Sequence, residues 1–114
     1  MCNQITLDQI TSKVTQTAKN SLGNKLEKVI LYGSYARGDY DDESDIDIMV
    51  LANIPAEDKW KVYMSHFNEL ASRLGLEKDV LISIHVQDIF TFNKYADYLP
   101  FYIRVAKEGV VLGA

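Results

Sequence analysis

Leu31-Tyr32-Gly33-Ser34-Tyr35-Ala36-Arg37-Gly38, followed after an acidic stretch by Ser44-Asp45-Ile46-Asp47, is the part of this chain on which its fold turns. Just ahead of the glycine, Val29-Ile30-Leu31 is a short apolar run, which predicts a buried strand over residues 28–31. A second strand is expected over residues 46–51. Period-2 geometry there puts Asp45, Asp47 and Met49 on one face and Ile46, Ile48 and Val50 on the other. A glycine directly after a buried strand allows a sharp turn and close approach of a ligand to the main chain. Ser34 adds a hydroxyl beside the next N–H groups. If Tyr35-Ala36-Arg37 opens a helical turn, its start favours an anion such as phosphate.

The two aspartates carry the chemistry. One residue apart on a strand, their carboxylates point the same way and repel each other. A divalent cation removes that repulsion, and Mg²⁺ commonly takes one or two carboxylates plus substrate phosphates. A phosphate cradle beside paired carboxylates is the minimum apparatus of phosphoryl transfer. Asp79 is the candidate third acid, placed at the start of an expected strand over residues 79–86. It either helps hold a metal, accepts the proton of an attacking hydroxyl, or caps the strand. Arg37 is a phosphate contact or a structural ion pair. The run Asp39, Asp41, Asp42 and Glu43 reads as a solvated loop.

Outward from this stretch the pattern is α/β. Residues 6–22 read as an amphipathic helix through Leu7, Ile10, Val14 and Ala18, with Thr6 and Gln9 spaced as a capping box and Ile5 and Ile10 as a staple. Gly23-Asn24 stops it. Residues 56–74 carry Trp60, Tyr63, Phe67, Leu70, Ala71 and Leu74 at helical spacing. Short helices are expected over residues 87–94 and 101–107, and a terminal strand or packing tail at Val110-Val111-Leu112. His85 reads as structural and His66 as a surface residue. Tyr95, Tyr98, Phe101 and Tyr102 read as core packing, with a partner or base-stacking patch as the alternative. The whole is a small mixed sheet flanked by helices, in one domain spanning residues 1–114.

Bulk properties narrow the function classes. The chain has 114 residues, 47% of them hydrophobic and 25% charged, with a net charge of −4. That balance argues for a folded domain and against an extended nucleic-acid surface. The single cysteine, Cys2 at an end expected to fray, excludes an internal disulfide and a cysteine-based zinc site. No apolar run resembles a signal peptide or a membrane span. A cytoplasmic location is the expectation.

Gly33-Ser34, ten intervening residues and Asp45-x-Asp47 together resemble the signature of the polymerase-β-like nucleotidyltransferase superfamily. The flanking Tyr32, Tyr35-Ala36-Arg37-Gly38 and Ser44 look like its minimal nucleotidyltransferase branch. The resemblance implies the superfamily's mixed α/β fold, two Mg²⁺ ions and ATP as donor. It implies that Gly33, Ser34 and Arg37 bind the donor phosphates and that Asp45, Asp47 and Asp79 hold metal and act in catalysis. Minimal members often accompany a HEPN-type toxin, and in the characterised pairs they are antitoxins that adenylylate a toxin tyrosine. That partnership is the leading expectation. A non-catalytic binding module and a small-molecule nucleotidyltransferase are the alternatives.

Overall fold

A computed structural model describes residues 2–113. The first helix, α1 (Gln4–Leu22), begins two residues earlier than the sequence pattern implies. Asn3 is its cap: the Thr6 N–H donates to the Asn3 side-chain oxygen at 2.8 Å. Thr6 is therefore inside the helix rather than capping it, and Ile5 is exposed instead of stapling the end. The buried stripe is Leu7, Ile10, Thr11, Val14, Ala18 and Leu22. Cys2 is buried against this end, not frayed.

Among the described residues four strands follow: β1 (Leu26–Tyr32), β2 (Ile46–Ala52), β3 (Ile82–Asp88) and β4 (Val110–Gly113). They form one sheet in the order β3-β2-β1-β4. β1 runs antiparallel to both β2 and β4, and β2 runs parallel to β3. The sheet is mixed, as expected. A parallel pair needs a crossover. It is supplied by α3 (Lys59–Val62), a π-helical turn (Tyr63–Phe67) and α4 (Asn68–Lys78). Two short helices, α5 (Ile89–Tyr95) and α6 (Pro100–Glu108), lie between β3 and β4.

Alternation along β2 sorts the core into two layers. Ile46, Ile48 and Val50 join Val29, Leu31, Ile84 and Val86 beneath α1 and α4. Met49 and Leu51 join Ile30 beneath Phe92 of α5 and Val105 of α6. Helices thus cover both faces, and β2 is buried throughout except at its acidic start. The π turn accounts for one departure from the sequence pattern. An extra residue in a helical turn rotates everything before it relative to everything after. Phe67, Leu70, Ala71 and Leu74 reach the core, whereas Trp60 is 68% exposed and stacks on Tyr63 at 5.5 Å. Among the described residues no helix is long and apolar enough to cross a membrane.

Candidate active site

β1 ends at Tyr32 and the chain bends at Gly33, with φ 77° and ψ −157°. Two facts demand glycine here. The positive φ disfavours any side chain, and a Cβ would stand 2.5 Å from the Asp47 Oδ2. The Asp47 carboxylate therefore lies directly against the bend. Beyond it, α2 (Ser34–Arg37) is a single turn whose Ala36 and Arg37 N–H groups donate to the Gly33 carbonyl at 3.1 Å. Gly38, at φ 87°, closes the turn through its N–H to the Ser34 carbonyl.

The acidic loop after Gly38 is internally braced. Asp41 Oδ1 accepts from the Glu43 N–H at 2.9 Å and from the Ser44 hydroxyl at 3.2 Å. The Asp41 N–H in turn donates to Ser44 Oγ at 2.9 Å. At its exit the Ile46 N–H donates to the Leu81 carbonyl, seating Asp45 where β2 meets β3.

Asp47 pairs across β1 with Tyr32 and across β3 with Ser83. Burial pushes its pKa above the ordinary carboxylate value, the Asp45 charge raises it further, and the Arg37 cation opposes both. The two aspartates are thus close enough to repel. Burial, with the Asp47 charge added, pushes the Tyr32 hydroxyl up to about 12. Two repelling, oxygen-bearing groups with only a partial counter-charge form a donor set suited to a hard divalent cation.

Arg37 is exposed and bridges two acids, Asp39 at 3.2 Å and Glu108 of α6 at 3.3 Å. The Glu108 contact spans 71 positions, so no local pattern could have shown it. Arg37 and Gly33 share the wall of a cavity of about 510 Å³ with Tyr32, Phe101 and Arg104. Arg104 was missed by the sequence reading, which saw only a helix there.

Asp79 lies elsewhere than expected. The strand begins at Ile82, because α4 runs on to Lys78 and Asp79 is its cap, in the left-handed region at φ 55°. The β3 residue level with Asp47 is Ser83. Among the described residues no three of His, Cys, Asp and Glu gather as a metal-binding group. Asp79 instead shares with Asp45 the wall of a second cavity, of about 820 Å³. His85 is half-buried and stacks on Phe101 at 5.7 Å. Burial and the Lys59 cation lower its pKa against a hydrogen bond with Gln87. His66 is exposed. Of the C-terminal aromatics, Tyr95, Phe101 and Tyr102 pack together, while Tyr98 is exposed.

A family model described as polymerase beta, nucleotidyltransferase matches residues 12–104. Two proteins of Methanocaldococcus jannaschii whose names call them protein adenylyltransferases are similar in sequence. One is 42% identical over 77 residues, covering 66% of this chain and 73% of the relative. The other is 35% identical over 94 residues, covering 82% and 85%. Among solved structures, a toxin–antitoxin complex with AMP-PNP matches with a TM-score of 0.56 at 21% identity, over 91% of this chain and 73% of that one. A complex of a tri-AMPylated Shewanella oneidensis HEPN toxin with its MNT antitoxin matches with a TM-score of 0.51 at 20% identity, over 94% and 71%. At these identities the structural matches establish the shared fold.

Proposed function

The chain belongs to the polymerase-β nucleotidyltransferase family and is a nucleotidyltransferase, and we propose that it moves AMP from ATP, with Mg²⁺, onto a tyrosine hydroxyl of a HEPN-type toxin, acting as that toxin's antitoxin in the cytoplasm. The observation that carries the chemistry is the Asp47 carboxylate lying against the Gly33 bend with Asp45 beside it. The acceptor class is supported by the names of the M. jannaschii relatives, and the partner by the toxin–antitoxin neighbours.

In this reading Asp45 and Asp47 are the residues that would hold magnesium. Bound there, the metal supplies neutralisation of triphosphate charge and alignment for in-line attack. Gly33 leaves the main chain open to the donor, and Ser34 offers its hydroxyl and N–H to a phosphate. Arg37, already poised on the cavity wall, exchanges its contacts with Asp39 and Glu108 for phosphate oxygens. The acceptor oxygen bonds to the α-phosphorus, the bond from that phosphorus to its bridging oxygen breaks, and pyrophosphate leaves. Asp79 shares a cavity wall with Asp45 and not with the bend, which suits acceptance of the hydroxyl proton better than ligation of the metal.

The test is intact mass of a co-purified partner after incubation with ATP and Mg²⁺. Wild type should add AMP to a partner tyrosine, and Asp45→Asn or Asp47→Asn should reduce the rate about a thousandfold, the scale of several kcal/mol of lost charge stabilisation. Full activity in both variants rejects the assignment. Tight binding of the partner by wild type without any mass change makes the chain a binding module instead.

A further inference from the structure

Asp45 belongs to two places at once. It is half of the acid pair, and it lines the cavity of about 820 Å³ that Asp79 also faces. The carboxylates around that cavity are Asp42, Glu43, Asp45 and Asp79, and none of the described residues lining it is Lys or Arg. The rest of the wall is largely apolar. Tyr63 from the π turn contributes to it, with Leu76 of α4 and Leu81 just before β3. Those leucines are 86% and 71% exposed. One exposed leucine on a protein surface needs no account. Two on the wall of one hollow, rimmed by carboxylates of a single sign, mark a contact site for another molecule.

We infer that this cavity docks the acceptor, and that its occupant is a protein segment presenting the reactive hydroxyl beside an apolar side chain and at least one Lys or Arg. The inference rests on the reading above that AMP is passed to a protein. Charge decides the class. A nucleic-acid acceptor brings a phosphate on every nucleotide, and four carboxylates around the mouth repel it. A basic segment is attracted by the same field and steered to the same mouth. Its apolar side chain covers Leu76 and Leu81, and complementary charge fixes its register. Position then follows from Asp45, since a hydroxyl held at that end of the cavity sits next to the acid pair. The two hollows divide the work. The one with Arg37 and Arg104 faces the donor, and the one with the carboxylates faces the acceptor.

Three fluorescein-labelled probes test this by anisotropy in the absence of ATP. The first is a twelve-residue peptide with a central tyrosine flanked by arginine and leucine. The second is its twin with glutamate for arginine. The third is a single-stranded RNA with a free 3′-hydroxyl. The basic peptide should bind at least ~10-fold more tightly than its twin and weaken as salt rises, and the RNA should not bind. A Leu76→Ser, Leu81→Ser double variant, which removes the apolar contact without adding charge, should lose ~10-fold or more, and both sites are exposed enough to keep the fold. Phe90→Ser, at a position 64% exposed and outside the cavity, should bind as wild type does. Equal binding of the twin or the RNA, no binding of the basic peptide, or full binding by the double variant overturns the inference. Adding ATP and Mg²⁺ separates it from the reading beneath it. Docking of the basic peptide, with no AMP added to it or to the co-purified partner, leaves the cavity assignment standing and sinks the transfer. Equal transfer to both peptides does the reverse.

Discussion

The two ends of the parallel β2–β3 pair treat their acids in opposite ways. At the end where β3 runs into α5, Asp88 is 2% exposed and fully partnered. It caps α5 by accepting the Thr91 N–H at 2.8 Å, and it accepts the Gln87 amide at 2.9 Å. The Tyr102 hydroxyl donates to Gln87 at 3.1 Å and closes the network. Burial alone would push the Asp88 pKa up, but the bonds from Thr91 and Gln87 overcome it and hold the carboxyl below its ordinary value. At the other end Asp47 is half-buried beside a second carboxylate, and its pKa is raised. The same fold satisfies one acid and leaves the other's charge opposed only in part, by Arg37. That difference is what makes Asp47, and not Asp88, the candidate for function, because a partly buried and incompletely paired charge is costly unless something binds it.

The most severe way to break the functional end without touching a carboxylate is Gly33→Ala. A methyl there meets Asp47 Oδ2 at 2.5 Å and the backbone must keep φ at 77°. Either the bend opens or the carboxylate rotates away. AMP transfer should fall about a hundredfold, since small misplacement of a positioned group is enough for that. Steady-state rates against ATP concentration would check it. A variant with wild-type kinetics would mean that the closeness of bend and acid is incidental. The structural end breaks differently. Asp88→Ala strands the Thr91 N–H and the Gln87 amide, and should destabilise the fold by about 2 kcal/mol, a Tm drop on the order of 8 °C. The transfer rate of the still-folded fraction should not change.

How much of this contrast was legible in the sequence depended on the range of the interactions. The strand–bend–strand unit could be read because it is local. Three apolar residues, a glycine and alternating acids each fix geometry within a few positions, and the faces of β2 came out as the period-2 pattern required. The helix at 56–74 was legible only after its middle, because nothing in Tyr63–Phe67 signals a π turn and the register of Trp60 depends on it. Asp79 was misplaced for a similar reason. The pattern showed an apolar β-branched run but not that α4 would extend to Lys78, and a left-handed aspartate cap looks like a strand start. The Asp88 network was invisible, since Gln87 and Tyr102 meet only once α6 folds back over the sheet. Arg37 meeting Glu108 and Arg104 joining the Gly33 cavity belong to the same class of long-range fact.

The smallest expected effect is also the one that separates the two acids most cleanly. A carboxyl whose pKa is raised on folding binds its proton more tightly in the native state, so its contribution falls as pH rises past the ordinary value of 3.8. At neutral pH the ionised Asp47 therefore destabilises the metal-free protein. Asp88 has the opposite sign. Its depressed pKa contributes stability at neutral pH that is lost as pH falls below the ordinary carboxylate value. Asp47→Asn should then melt above wild type at pH 7 without metal, with the gap closing toward pH 4 as wild-type Asp47 takes up its proton. Mg²⁺ should raise the wild-type melting temperature and leave that of the variant nearly unmoved, because binding stabilises only a fold that retains its ligands. Asp88→Asn keeps the shape but weakens the charged cap, and should melt below wild type at pH 7 with the gap again closing in acid. Thermal melts of the three proteins at pH 7 and near pH 4, with and without Mg²⁺, and of wild type and Asp88→Asn also well below the ordinary carboxylate value of 3.8, decide the matter. If Asp47→Asn melted below wild type in the absence of metal, the carboxylate would be holding the fold together, and its place against Gly33 would be architecture before it was chemistry.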